Sequence, residues 1–292
     1  MAKWLITGPE GFLGSRLADY YKEKHEVIAV GHQSLDIADA DSVLCCMESV
    51  RPEVVIHCAA ISSTGLCEEK PELSERVNYR GTVNLAAACA KTGSRLVFMS
   101  SDQIYAGSTT ERHNREEEEY VVNVYGRHKR QAERETLSIL PDAVCLRLPW
   151  MYDFPVRGKK SNSSLLNTLL KALVRNEPVK LPVHDYRGIT WAYEVIEKVE
   201  AAAELPGGVY NFGSGNERST YETAVIFLHT LLGNSDRDGI LIPDEGRFAD
   251  RERNLVMDTG KITAHHICFP DTVEGFCRCL RENPEYVEAL IS

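Results

Sequence analysis

The chain of 292 residues has no apolar run near the roughly 20 residues that a membrane-spanning helix needs, which argues against a membrane protein. It is also poor in positive charge. Its 33 Lys and Arg stand against 43 Asp and Glu, and a net charge of −10 argues against nucleic acid as a partner, because phosphate backbones are held by clustered basic side chains. No signal peptide precedes the first strand-like run, so we expect a cytoplasmic protein.

Zinc-ligand spacing is absent from the nine cysteines, and an odd number argues against a disulfide framework. The adjacent Cys45 and Cys46 cannot easily form a bridge, and Cys277-Arg278-Cys279 is too tight for a metal clamp. His265-His266 has no matching ligands nearby in the sequence. We therefore expect free thiols in a reducing compartment and no metal site.

Short β-rich runs alternate with longer helical runs along the chain. This alternation predicts an α/β fold with a doubly wound parallel sheet and helices on both faces. Ligands then bind beyond the carboxyl ends of the strands. We predict strands at 3–7, 26–30, 53–57, 95–100, 143–148 and 208–212, helices near 12–24, 39–49, 74–91, 124–138 and 191–203, and an amphipathic helix within 151–188.

A glycine-rich turn joins the first strand to the first helix. Gly8, Gly11 and Gly14 follow the strand 3–7 and run into the helical segment from Ser15. Glycines let the backbone turn tightly and approach a pyrophosphate, whose charge then lies at the positive end of the helix. The spacing is Gly-x-x-Gly-x-x-Gly, and it predicts a dinucleotide site.

Tyr125 and Lys129 stand four residues apart on a predicted helix, and an earlier strand ends at Ser100-Ser101-Asp102. Positions i and i+4 share a helix face, so we expect the Lys129 ammonium to lower the pKa of the Tyr125 phenol. A hydroxyl, a phenol and an ammonium that meet at one carbonyl can support hydride transfer. We predict Ser101, Tyr125 and Lys129 as catalytic residues.

With these motifs in order, the chain resembles the extended short-chain dehydrogenases/reductases, and most closely the dTDP-4-dehydrorhamnose reductase family. The resemblance covers nearly the whole length. It rests on the segments Thr7 to Gly14, Leu35 to Ile37, Cys58 to Ala60, Phe98 to Asp102, Asn123 to Lys129, Leu146 to Tyr152, Asp185 to Thr190 and Arg253 to Thr259.

The resemblance implies an NAD(P)H-dependent reductase of a nucleotide-linked 4-keto sugar, as in dTDP-rhamnose biosynthesis, with a homodimer as an open alternative to a monomer. It implies a Rossmann-type NAD(P)-binding domain at 1–150, to which 190–213 return, and a smaller C-terminal substrate-binding part at 151–189 and 214–292. Lys129 would bind the nicotinamide ribose. The implied substrate contacts are Ser101, Asp102, Tyr125 and Trp150, and the implied cofactor contacts are Gly8, Gly11, Phe12, Leu13, Gly14, Gly31, His32, Asp36, Ile37, Ala59, Ala60, Ile61, Met99, Tyr125 and Lys129.

Departures from the family pattern lie largely where substrate would bind, for example Thr64-Gly65 after the third strand and a shortened Gly188-Ile189-Thr190. Two alternatives therefore stay open: an NAD-dependent sugar nucleotide epimerase, and a non-catalytic regulatory subunit of the methionine adenosyltransferase type. Dehydration is disfavoured, because the related dehydratases have an Asp-Glu pair where this chain has Asp102-Gln103, and an amide cannot exchange a proton as a carboxylate can.

Cofactor choice depends on the end of the second strand, where NAD-selective sites place an acid that binds the ribose 2′-hydroxyl. Gly31 and His32 stand there, and no acid is present. This absence removes a barrier to a 2′-phosphate, which His32 and Arg16 could contact. We therefore expect NADPH to be accepted at least as well as NADH.

Overall fold

The computed structural model describes residues 1–110, 112–233 and 239–291, so residues 234–238 and 292 of the predicted C-terminal part lie outside the described residues. The strands are β1 Lys3–Thr7, β2 Glu26–Val30, β3 Val54–His57, β4 Arg95–Ser101, β5 Val144–Leu148, β6 Trp150–Tyr152, β7 Val179–Pro182, β8 Asp185–Tyr186, β9 Ile189–Trp191, β10 Gly208–Asn211, β11 Leu241–Asp244 and β12 Arg253–Asn254.

The helices begin directly after the first strand and alternate with the strands of the large sheet. They are α1 Phe12–Tyr21, α2 Ala40–Val50, α3 Thr64–Glu69, α4 Pro71–Ser74, α5 Gly81–Thr92, α6 Val124–Ile139, α7 Leu165–Arg175, α8 Ala192–Ile196, α9 Val199–Ala203, α10 Thr220–Leu232, α11 Gly260–Thr263, α12 Thr272–Glu282 and α13 Pro284–Ile291. A π-helix, Glu75–Arg80, joins α4 to α5, and a 3₁₀ turn, Asp102–Tyr105, follows β4.

Six parallel strands form one sheet in the order β2-β1-β3-β4-β5-β10. Successive residues of a strand face opposite sides of a sheet. Accordingly, Trp4 and Ile6 pack into the core on one face, and Leu5 packs into the core on the other. The predicted doubly wound α/β sheet is confirmed. The order in which strands are added to the sheet reverses between β1 and β3, and the crevice at such a switch point is the usual ligand site.

The smaller C-terminal part has its own core, in which Tyr152, Phe227 and Phe276 are fully buried. Three two-stranded sheets, β6-β9, β7-β11 and β8-β12, accompany it. Side chains cap its helices: Ser219 with Glu222 begins α10 and Asp271 with Glu274 begins α12, each as a capping box. Among the described residues, no helix combines the length and the apolar character needed to cross a bilayer.

The structure refines two predicted helices. The predicted helix 74–91 contains the π-helix Glu75–Arg80, and the predicted helix 191–203 is divided into α8 and α9. The small sheets have strands of two to four residues, and the sequence did not predict them. Such strands are too short to show a readable alternation of apolar and polar residues.

Candidate active site

The glycine turn fits close against the segment that follows β3. Gly8 has φ +71°, and a Cβ on it would lie 2.8 Å from the Cα of Ala59. A Cβ on Gly14 would lie 2.2 Å from the Gly8 carbonyl oxygen. Gly11 precedes α1, and no side chain caps the first N–H groups of that helix. These free N–H groups and the absence of Cβ atoms fit a pyrophosphate.

The other residues predicted to contact the cofactor lie on both sides of this turn. Phe12 and Leu13 begin α1, and Leu13 is buried in the core. Beyond β2, Gly31 is buried and His32 is exposed. The Asp36 carboxylate accepts a hydrogen bond of 3.0 Å from the Ala38 N–H, and Ile37 packs so closely under α5 that a Cβ on Gly81 would lie 2.7 Å from it.

The segment from Ala59 to Ile61 links the glycine turn to the predicted catalytic residues. Ala59 contacts Gly8 at one end, and its N–H donates to the Thr7 hydroxyl at 3.2 Å. At the other end, Ile61 packs against Tyr125. Ala60 lies between them and is half-buried. One short segment therefore fixes the position of the glycine turn relative to the candidate catalytic residues.

Asn78 fixes this segment, although the sequence analysis did not identify it. Its side-chain oxygen accepts from the Ile61 N–H at 2.8 Å, and its amide nitrogen donates to the Ile61 carbonyl at 3.0 Å. Asn78 is fully buried on the π-helix Glu75–Arg80. A π-helical turn is a frequent mark of a functional region, but it cannot be read from residue spacing alone.

A buried histidine supports the floor of the same crevice. His57 ends β3, contacts the Thr7 hydroxyl through Nδ1 at 2.8 Å, and contacts the Thr82 hydroxyl through Nε2 at 3.0 Å. Thr82 donates its own proton to the Asn78 carbonyl, so it accepts the proton from Nε2. Burial, with the charge of Lys129, lowers the pKa of His57 to about 3, and the ring is neutral.

The structure brings Ser101, Tyr125 and Lys129 together at the carboxyl end of β4. Asn123 caps α6 by accepting from the Gly126 N–H at 2.7 Å, and this cap positions Tyr125 in the first turn. The Ser101 hydroxyl is near enough to the phenol to influence its pKa by hydrogen bonding. Tyr125 is 8 % exposed and Lys129 is 2 % exposed, so both groups are nearly shielded from bulk water.

The Lys129 ammonium donates a hydrogen bond of 2.8 Å to the Met99 carbonyl. It lies 4.5 Å from the ring centroid of Phe98 and 5.7 Å from that of Tyr125. Burial lowers the pKa of Lys129 to about 8. Within the part of the chain that the structure describes, the Lys129 ammonium has no salt bridge to a carboxylate.

The predicted effect of Lys129 on Tyr125 is not what the structure shows. The pKa of the Tyr125 phenol is raised, mainly by burial and also by the Asp102 charge, while the Ser101 hydroxyl acts in the opposite direction. The reason is that Lys129 is directed at the Met99 carbonyl and not at the phenol oxygen. The phenol is protonated at neutral pH, which is the form that can donate a proton.

Asp102 connects the end of β4 to the smaller part of the protein. Its carboxylate accepts from the Arg187 guanidinium at 2.8 Å, from the Gln103 amide at 3.2 Å and from the Ser101 hydroxyl at 3.3 Å. The Arg187 guanidinium lies 4.9 Å from the ring centroid of Trp150. Trp150 is half-buried and donates its indole N–H to the Ser163 carbonyl at 3.1 Å. Arg187 therefore joins the predicted substrate residues Asp102 and Trp150, and the sequence analysis missed it.

Arg16 does not occupy the position that the sequence analysis gave it. It is 1 % exposed and donates to the Asp153 carboxylate at 2.6 Å and to the Phe12 carbonyl at 2.9 Å. Its guanidinium thereby joins α1 to the chain after β6. An arginine held in this way has its charge paired, so the suggested contact of Arg16 with a 2′-phosphate is not supported by the structure.

Comparison with known proteins places this geometry in a family. The family model of the RmlD substrate binding domain matches residues 2–282. A dTDP-4-dehydrorhamnose reductase from Streptomyces griseus is 30% identical over 218 residues, which cover 72% of this chain and 69% of the relative. The methionine adenosyltransferase 2 subunit beta of Xenopus laevis is also 30% identical, over 75% of this chain and 69% of the relative.

Solved structures show the same fold. The dTDP-4-dehydrorhamnose reductase of Bacillus anthracis in complex with NADP matches with a TM-score of 0.83 at 21% identity, covering 97% of this chain and 99% of that one. The UDP-glucose 4-epimerase of Thermus thermophilus in complex with NAD matches with a TM-score of 0.72 at 24% identity, covering 94% and 98%. Structural neighbours of this chain thus bind NADP or NAD.

Proposed function

We propose that this chain, which belongs to the RmlD substrate binding domain family, is an NAD(P)H-dependent reductase of a nucleotide-linked 4-keto sugar of the dTDP-4-dehydrorhamnose type. One observation carries the proposal. A serine hydroxyl, a protonated phenol and a buried ammonium meet at the end of β4, and the segment Ala59 to Ile61 connects them to a glycine turn that fits a pyrophosphate.

Each part of the chain has a place in this proposal. Residues 1–150 with 190–213 hold the cofactor, and residues 151–189 with 214–292 contribute the substrate side. The glycine turn and the N-terminus of α1 hold the pyrophosphate, and Lys129 binds the nicotinamide ribose. When bound, the reduced nicotinamide supplies a hydride.

The catalytic side chains then act on the carbonyl oxygen of the substrate. Ser101 donates a hydrogen bond to that oxygen and stabilises the negative charge that develops on it. Tyr125 donates its phenolic proton, which the raised pKa keeps in place at neutral pH. Their low exposure excludes water, which would compete for the proton and weaken both interactions.

Arg187 gives the substrate side a further polar group. The Arg187 Nε is buried and has no hydrogen-bond partner in the part of the chain that the structure describes. A buried N–H needs an acceptor, and a sugar hydroxyl or a phosphate oxygen can supply one. Because Arg187 is already anchored to Asp102 and lies over Trp150, its free N–H has a defined direction.

The test is to incubate the purified protein with dTDP-4-dehydrorhamnose and either reduced cofactor. We expect loss of the nicotinamide absorbance and a product heavier by two hydrogens in the mass spectrum. The same assay with a UDP-linked 4-keto sugar tests the nucleotide preference. No turnover with any of these substrates, at saturating cofactor, would contradict the proposal.

A second candidate function follows from the likeness to the methionine adenosyltransferase 2 subunit beta. In that case the chain regulates a partner enzyme and need not turn over a sugar. A pull-down from a lysate of the source, with the bound proteins identified by mass spectrometry, tests this candidate. Recovery of a methionine adenosyltransferase catalytic subunit, together with no reductase activity, would favour it.

A further inference from the structure

A carboxylate lies at the end of β2, although the sequence has no acid there. The Glu10 side chain comes from the glycine turn and extends to Gly31. A Cβ on Gly31 would lie 1.7 Å from Glu10 Oε1, 2.5 Å from its carboxyl carbon and 2.7 Å from Oε2. The Glu10 carboxylate therefore fills the space where a side chain at position 31 would begin.

The backbone of Gly31 does not itself require glycine. Gly31 is absent from the glycines with positive φ, whereas Gly8 in the neighbouring turn is one of them. The atoms nearest to a Cβ at Gly31 are those of the Glu10 carboxylate, at the end of an exposed side chain. Position 31 therefore has no side chain of its own, and the Glu10 side chain from the glycine turn lies in the space beside it.

We propose that Glu10 does the work of the acid that NAD-selective enzymes carry at the end of β2: it accepts a hydrogen bond from the adenosine ribose 2′-hydroxyl and repels a 2′-phosphate. NADH is then the preferred cofactor. This inference rests on the proposed function, since it concerns the same cofactor site. It is the opposite of the sequence-based expectation, which considered only residues of the β2 end itself.

Two cations of this part of the chain already lie near carboxylates. Arg16 is buried against Asp153 at 2.6 Å, so its charge is paired. Arg76 lies 4.0 Å from the Asp36 carboxylate and is 55% exposed. His32 is exposed beside Gly31. A 2′-phosphate at this edge would meet Glu10 with little compensation.

The experiment measures the dissociation constants of NADH and NADPH by fluorescence titration of the cofactor-free protein, at fixed low salt. We expect the wild type to bind NADH about tenfold more tightly, which corresponds to about 1.4 kcal/mol. Glu10→Gln keeps the size of the side chain and should bring the two constants to within about twofold, mainly by tightening NADPH. Glu10→Lys should reverse the preference.

Glu23→Gln is the matched control, because Glu23 is exposed at the end of the same turn-helix unit and the substitution changes the net charge equally. It should leave the ratio of the two constants unchanged. Added salt should reduce the wild-type preference, since the repulsion is at the surface, and should have little effect on the ratio in Glu10→Gln.

Equal binding of both cofactors by the wild type, or an unchanged ratio in Glu10→Gln, would overturn the assignment of Glu10 and leave the reductase proposal standing. Failure of the wild type to bind either cofactor would overturn both. Glu10 is exposed, so its variants should fold, and an unchanged thermal melting curve without cofactor checks that they do.

Discussion

Two buried charged residues lie one turn apart on α6, and they differ in how far other side chains pair with their charge. Lys129 and Glu133 are each 2 % exposed. The Glu133 carboxylate accepts from the Arg147 guanidinium at 2.7 and 3.0 Å and from the Ser100 hydroxyl at 2.5 Å. Among the described residues, the Lys129 ammonium donates only to the Met99 carbonyl.

The pKa values record this difference. Burial by itself would lower the pKa of Arg147, but the charge and hydrogen bonds of Glu133 raise it. Tyr105 also accepts from Arg147, at 2.7 Å. Burial does lower the pKa of Lys129, to about 8. A buried charge that is fully paired can be retained for structure, whereas one left unpaired costs stability and is typical of a ligand site.

The largest expected effect is on turnover, at the proposed ligand site that contains Lys129 and Tyr125. Tyr125→Phe should reduce turnover by roughly 10²–10⁴-fold, because it removes the proton donor, and should leave the cofactor dissociation constant nearly unchanged, because the ring still packs. Steady-state kinetics with dTDP-4-dehydrorhamnose and a fluorescence titration of NADH measure the two quantities. Tyr20→Phe, which removes a phenol on α1, serves as the control. Retained turnover in Tyr125→Phe would remove the assignment of Tyr125 as the acid.

The next largest effect should be on stability, at the buried ion pair of Glu133 with Arg147. Arg147→Met leaves the Glu133 carboxylate buried without its cation, and we expect the free energy of unfolding to fall by about 3–5 kcal/mol. Urea unfolding followed by circular dichroism measures it. Arg134→Met is the control on α6, the helix that carries Glu133, because Arg134 is 64% exposed and its pair with Glu119 should contribute little. Equal loss in both variants would show that the burial of Glu133 and Arg147 has no special effect.

Lys129 should make the stability of the cofactor-free protein depend on pH. The unfolded chain holds the Lys129 proton with a pKa near 10.5 and the folded protein with a pKa of about 8. Between pH 8 and pH 10.5 the unfolded chain binds more protons than the folded protein. Raising the pH through this range therefore stabilises the folded wild type relative to Lys129→Met, by at most about 3 kcal/mol. Urea unfolding of both proteins from pH 7 to pH 10 measures the difference. A constant difference would mean that the ammonium is not destabilised by burial.

The same variant tests the proposed ribose contact. Lys129→Met should weaken NADH binding and turnover together, because one ammonium serves both. A fluorescence titration at pH 7 measures the binding part. If the NADH dissociation constant is unchanged, Lys129 has no ribose role, and its unpaired charge needs another explanation.

The smallest effect should come from Ser101→Thr. The hydroxyl is the group that matters, and threonine keeps it, so we expect turnover within about threefold of the wild type. Ser101→Ala should lose about 10²-fold, the cost of one hydrogen-bond donor to a developing oxyanion. Kinetics of both variants make the comparison. Equal losses would show that the site responds to packing around Ser101 and not to its hydroxyl.

Local patterns in the sequence were sufficient to predict the large sheet, most of the helices around it, the glycine turn and the meeting of Ser101 with the Tyr125 helix. The alternation of buried residues along a strand and the spacing of helix faces act over a few residues, so they can be read directly from the chain. The positive φ of Gly8 and the close approach of Gly14 to the Gly8 carbonyl are equally local, whereas the contact of Gly8 with Ala59 depends on the pairing of β1 with β3. The strands, the helices and the glycine turn depend mainly on neighbours in the sequence.

Tertiary structure decided which charges meet. Arg16 is paired with Asp153 across 137 positions, Arg187 with Asp102 across 85, and Asn78 clamps Ile61 across 17. The Glu10 carboxylate reaches Gly31 only because parallel pairing places the ends of β1 and β2 side by side. The interaction energy of a charge depends on its distance to other charges. Those distances are set by packing between elements that are far apart in the sequence.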